Sequence, residues 1–81
     1  MAVEYYALPV ANGIEFTDKE VLFILSSGGR LAFPLDYFPR LATATQEQRK
    51  KWRLRNGGYC VRWDEIDEDI SIPLLLTGQC V

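Results

Sequence analysis

The 81-residue chain contains no histidine. That removes the commonest general base near neutral pH and the commonest metal ligand. Ser-His-Asp and Cys-His mechanisms are excluded with it. Cysteine is scarce. Cys60 and Cys80 form neither a zinc spacing nor a C-x-x-C pair. The favoured reading is two free thiols in a reducing cytosol, with a single bridge as the alternative. Lacking an imidazole to activate it, Cys60 is not expected to act as a nucleophile. No apolar run approaches the roughly 18 to 20 residues of a membrane span. Glu4 interrupts the N-terminus where a signal peptide would be apolar, so the expected location is cytoplasmic. An excess of positive charge is also missing. The net charge is −2 and the isoelectric point about 5.0, which disfavours a dedicated nucleic-acid binder.

What remains is ordinary for one small folded domain: 48% hydrophobic and 25% charged residues. Two Trp, four Tyr and four Phe are a large aromatic load for so short a chain. One small core is not expected to bury all of it, so an apolar patch should remain at the surface. Residues 13–78 are read as a single domain, 1–12 as an N-terminal extension or edge segment, and 79–81 as a tail.

Two hairpins organise the reading. Pro9 and Asn12-Gly13 punctuate the start, Ile14 to Phe16 reads as a short strand, and Asp18-Lys19-Glu20 reads as a polar turn. Val21 to Leu25 is a continuous apolar run, which predicts a strand buried on both faces. Arg30 to Pro34 returns beside it after Gly28-Gly29. In the second hairpin, Trp52 to Arg55 and Tyr59 to Trp63 flank Asn56-Gly57-Gly58. A two-residue Asn-Gly turn would pair Leu54 with Tyr59 and Trp52 with Val61. That keeps Trp52, Leu54, Tyr59, Val61 and Trp63 on one face, and Lys51, Arg53, Arg55, Cys60 and Arg62 on the other.

Between the hairpins a helical turn is expected from Asp36, constrained by Pro39. Thr45 and Gln48 then have capping-box spacing for a short polar helix ending in Arg49-Lys50-Lys51. After Trp63 an acidic turn is expected. A final helix should follow, capped by Ser71, tolerant of Pro73 in its first turn, running through Leu76 and ended by Gly78. The fold class is α+β: a small antiparallel sheet of two hairpins with short helices packed on it.

Particular residues carry a wider pattern. Phe38-Pro39-Arg40-Leu41, Ala44-Thr45 with Gln48-Arg49, and Trp63 are followed by Ile66-Asp67-Glu68-Asp69-Ile70-Ser71 and Leu75-Leu76-Thr77-Gly78. With Gly29-Arg30-Leu31-Ala32-Phe33-Pro34-Leu35 before them, they resemble the bacterial family known as domain of unknown function 2442, from about Gly13 to Gly78. The family's frequent Asp-Gly-Arg turn is Gly28-Gly29-Arg30 here, and its usual Trp-Pro step is Trp63-Asp64. The resemblance implies a small α+β domain with no catalytic residues to carry over. It also implies a genetic setting beside a second small gene, as in a two-gene module of toxin–antitoxin type. Some members bear a helix-turn-helix extension, which is not expected in this chain.

The candidate sites follow. Tyr5, Tyr6, Tyr37 and Phe38 are aromatics outside the regular hairpins and make a candidate protein interface. Lys51, Arg53, Arg55 and Arg62 make a basic face, which is expected to pair internally with the acidic turn. The acids Asp64, Glu65, Asp67, Glu68 and Asp69 lack the spacing of a calcium loop and read as a solvated turn, so no metal is expected. Trp52 and Trp63 read as core more than as a stacking platform for bases, and Trp63 as a structural anchor. The expected core is Phe23, Leu25, Phe33, Trp52, Leu54, Val61, Trp63, Ile70 and Leu75. No cofactor is expected. The function expected is non-enzymatic binding of a protein, either a second copy or the product of an adjacent gene, with no membrane partner. The alternative is a nucleic-acid-binding regulator using Arg53, Arg55 and Arg62.

Overall fold

A computed structural model describes residues 9–77. The fold is α+β. It holds two three-stranded antiparallel sheets with short helices between and after them. The first sheet is β1 (Ala11–Phe16), β2 (Glu20–Leu25) and β3 (Arg30–Pro34), in that order. Thr17 tightens the first turn by accepting from the backbone N–H of Lys19 and Glu20 at 3.3 and 3.0 Å. The pairing shifts between Ala11 and Gly13, leaving Asn12 as a bulge. The second turn needs Gly28, whose φ is 94°. β2 departs from the expectation of burial on both faces. Val21, Phe23 and Leu25 are buried, while Leu22 and Ile24 are only half-buried on the opposite face. A continuous apolar run resembles a doubly buried strand, but among the described residues β2 has a covering layer on one side only.

The connection uses three short turns of helix. Leu35–Tyr37 is a 3-10 turn, followed by α1 (Pro39–Ala42) and α2 (Gln46–Arg49). Pro39 occupies the first position of α1, where its missing N–H costs nothing. Thr45 and Gln48 close a reciprocal capping box on α2, with both bonds at 3.0 Å. The Arg49 guanidinium donates back to the carbonyls of Leu41 and Ala42 at 2.9 and 3.0 Å, adding to the Ala44 N–H bond at Leu41 and satisfying the Ala42 carbonyl at the end of α1.

The second sheet is β4 (Trp52–Arg55), β5 (Cys60–Trp63) and β6 (Glu68–Ser71), and α3 (Ile72–Thr77) follows directly. The hairpin register differs from the expected one. Trp52 pairs with Trp63 and Leu54 with Val61, across a loop of Asn56 to Tyr59. Asn56, Gly57 and Gly58 all take positive φ there. The shift is two residues, so each side chain still in the strands keeps its face, and only Tyr59 leaves for the loop. Gly58 is buried, and a Cβ on it would lie 2.8 Å from the Ala11 carbonyl oxygen. The longer loop is therefore fitted against the start of β1. β6 is a strand where the end of the acidic turn and the helix cap are expected, and the acidic turn shrinks to Asp64–Asp67. Ser71 still caps the final helix, its Oγ accepting from Leu74 N–H at 3.4 Å. Gly78 lies outside the described residues.

A single apolar cluster joins the two sheets. It contains Val21, Phe23 and Leu25 of β2, Leu35, Phe38 and Leu41 of the connection, Val61 and Trp63 of β5, and Ile70, Ile72 and Leu75. Trp63 is fully buried, and its indole N–H donates to the Arg49 carbonyl at 3.0 Å. That bond satisfies the one polar atom of the largest core side chain. Phe33 and Trp52 pack against the cluster from its margin. Leu54 does not join it and is 38% exposed. It sits at the loop end of an edge strand, beyond the elements that cover Trp63.

Candidate functional site

The four basic residues of the second hairpin share one outward region, and every one is paired. Arg53 grips Asp64 with two bonds, Nε to Oδ2 at 2.6 Å and Nη2 to Oδ1 at 3.2 Å. Arg62, its cross-strand neighbour, donates to Asp64 at 3.0 Å and to Asp67 at 2.7 Å. Arg55 pairs with Asp69 at 2.8 Å and Lys51 with Glu65 at 2.8 Å. Arg40 reaches the same turn, pairing with the Asp67 side chain and donating to its carbonyl. Two like charges opposite each other would repel. Asp64 relieves Arg53 and Arg62 by standing between them.

The electrostatics follow from these contacts. Hydrogen bonds from Arg53 first, and then from Arg62, hold the Asp64 carboxyl below the usual carboxylate range. A hydrogen bond and the charge of Arg62, with Arg40 behind them, do the same to Asp67. The Lys51 ammonium is raised by its hydrogen bond to Glu65. Among the described residues, no group of three His, Cys, Asp or Glu side chains is arranged to hold a metal ion.

A cleft of about 820 Å³ lies beside β6. One wall is Tyr37, Phe38 and Pro39; the other is Glu68 to Ser71, with Leu74 at one end. Tyr37 is 49% exposed and stacks on Phe33, with ring centroids 5.2 Å apart. Leu74 is 43% exposed. Phe38 corrects the expectation of an interface residue. It is 4% exposed and meets Phe23 and Phe33 edge to face, because the proline-started turn of α1 directs it inward. Tyr5 and Tyr6 lie outside the described residues. Cys60 borders the cleft, and its sulfur accepts from the Asn56 amide at 3.7 Å; Cys80 is outside the described residues.

β6 contributes backbone as well as side chains. Ile72 N–H donates to Tyr59 O at 2.8 Å, so in the same register Ile70 and Glu68 turn their backbone groups toward β5. Asp69 and Ser71 turn theirs to the open edge. The Asp69 N–H is taken by the Glu68 carboxylate at 3.2 Å. Its carbonyl and the Ser71 N–H remain on the cleft side. Sequence reasoning missed Leu74 and this edge. Leu74 was legible as the helical position turned about 100° from Leu75 and away from the core; the edge was hidden with the strand itself.

No protein of curated function matches the chain. Two solved structures are similar. One is the crystal structure of a protein of unknown function from Rhodospirillum rubrum, 27% identical, with TM-score 0.74 over 88% of each chain. The other is the solution NMR structure of an uncharacterised protein from Chromobacterium violaceum. It is 25% identical, with TM-score 0.74, covering 86% of this chain and 66% of that one. The family model described as protein of unknown function (DUF2442) matches residues 11–79, from the first residue of β1 past the end of α3, and the chain belongs to that family.

Proposed function

We propose that the protein is a non-enzymatic interaction module that docks another protein in the cleft beside β6, as the antitoxin-like or regulatory half of a two-gene module. The cleft carries the reading. Apolar groups of Tyr37, Pro39 and Leu74 line the same cleft as a sheet edge with an outward carbonyl at Asp69 and an outward N–H at Ser71. An extended peptide segment is recognised by such an edge through main-chain hydrogen bonds, and by such apolar groups through its side chains. The alternative, a nucleic-acid contact on the basic face, is weakened by the carboxylates that already engage Lys51, Arg53, Arg55 and Arg62.

Co-expression with the product of the adjacent gene, followed by co-purification and calorimetry, tests the reading. Tyr37→Asp and Leu74→Asp are expected to weaken the complex about tenfold or more, a change of roughly 1.4 kcal/mol. Their melting temperatures should stay within a few degrees of the parent. A chain that ignores its neighbour but binds duplex DNA, with affinity falling steeply as salt rises, overturns the proposal.

A further inference from the structure

The first sheet has a second face, and it differs in character from the charged face of the other sheet. Glu20, Leu22 and Ile24 point away from the core, since Val21, Phe23 and Leu25 point into it. Beside Leu22 lie Glu15 of β1 and Ala32 of β3; beside Ile24 lie Gly13 and Arg30; Glu20 pairs with Pro34. Leu22 and Ile24 are neither members of the core cluster nor packed against it. A solvated face of an antiparallel sheet ordinarily carries polar side chains. The middle of this one is apolar.

The charges around it are also unusual. Glu15, Glu20 and Arg30 take part in no ion pair among the described residues. Their arrangement has a symmetry. Glu20 stands two residues from Leu22 toward one end of β2. Ile24, with Arg30 opposite it, stands two residues toward the other end. A two-fold axis across the strands, through Leu22 and Ala32, exchanges these ends. It lays Leu22 on its own copy and Glu20 over Ile24 of the second molecule, one strand spacing from that molecule's Arg30. This is the self-complementarity an isologous contact requires.

We propose that this outward face is the interface of a two-fold homodimer, with Leu22 at its centre, each Ile24 beneath the stem of the other molecule's Glu20, and two symmetric Glu20–Arg30 pairs across it. The same axis brings Glu15 onto its own copy at the rim, a single like-charge contact. Strands about 4.8 Å apart and about 3.3 Å per residue give a patch of only about 15 by 20 Å. That is small beside a standard interface, so the dimer is weak and forms as concentration rises through the micromolar range. The inference stands apart from the cleft, because Tyr37 stacks on Phe33, which lies on the opposite face of β3.

Sedimentation equilibrium from about 1 to 500 micromolar tests it, spanning the range of a weak interface. Glu20→Arg and Arg30→Glu are each expected to weaken the dimer about tenfold, since each turns two attractions into repulsions. The double variant E20R/R30E should restore it, and Glu15→Gln should tighten it. Circular dichroism checks that each variant folds. A parent that stays monomeric throughout overturns the proposal. So does a dimer that Tyr37→Asp disrupts while both charge reversals leave it intact.

Discussion

Trp63 shows how one side chain can hold several elements. Its ring is fully buried, its register partner is Trp52, and its indole N–H closes the end of α2. Trp63→Ala is therefore expected to destabilise by roughly 3 to 5 kcal/mol, the range for a large buried aromatic. In so small a domain that approaches the whole stability. Urea denaturation measures it, and a midpoint close to the parent's would contradict the packing described. Gly58 makes a different demand. Its φ is 100°, and a Cβ would stand 2.8 Å from a backbone oxygen and 3.0 Å from the Val10 Cβ. Gly58→Ala should lower the melting temperature sharply. Gly57→Ala, with φ 69° but open space around it, should lower it less. A scan of both variants in one buffer compares strain plus clash with strain alone. The burial of Trp63 was legible in the sequence, because it alternates with Val61 along an apolar face. The approach of Gly58 to β1 was not, because nothing local says which strand lies above a turn.

At the scale of elements, the second sheet rests on exchange between its strands and the turn that follows them. Asp64 and Asp67 have lowered pKa values in the folded chain. A depressed carboxylate contributes stability that is present above its unfolded pKa and is lost as pH falls through its folded one. Stability from these groups should thus persist into mildly acidic solution. It should fall only below the ordinary aspartate value of 3.8. Urea midpoints measured from pH 6 downward check this, and an Asp64→Asn, Asp67→Asn double variant should lose part of the acid dependence. The same exchange explains why β6 was missed from sequence. Glu68 and Asp69 are poor strand formers on their own. They become a strand because Asp69 meets Arg55 and Arg62, while Ile70 fills the core. Helix starts were more legible. The Thr45–Gln48 box and the Ser71 cap depend on neighbours in sequence, and both form. The hairpin loop was misjudged because parity alone cannot separate a two-residue turn from a four-residue one.

For the whole molecule, the two proposed contacts occupy separate surfaces, and their variants should be separable. Tyr37→Asp is expected to leave self-association unchanged, and Glu20→Arg to leave binding of the neighbouring gene's product unchanged. Calorimetry and sedimentation on the same two proteins check this pair of outcomes. The α+β class was legible from the hairpins and caps. The division into two sheets was not, because it depends on how β1 and β6 extend their hairpins in space. That division has a kinetic consequence. Each sheet is a run of sequence neighbours, β1-β2-β3 and β4-β5-β6, joined by tight turns. Closing such short loops loses little chain entropy. Neither sheet needs the other to find its register, so both can assemble in parallel at the pace of low contact order. The slow event left is their meeting, when Phe23 from one and Trp63 from the other leave water together.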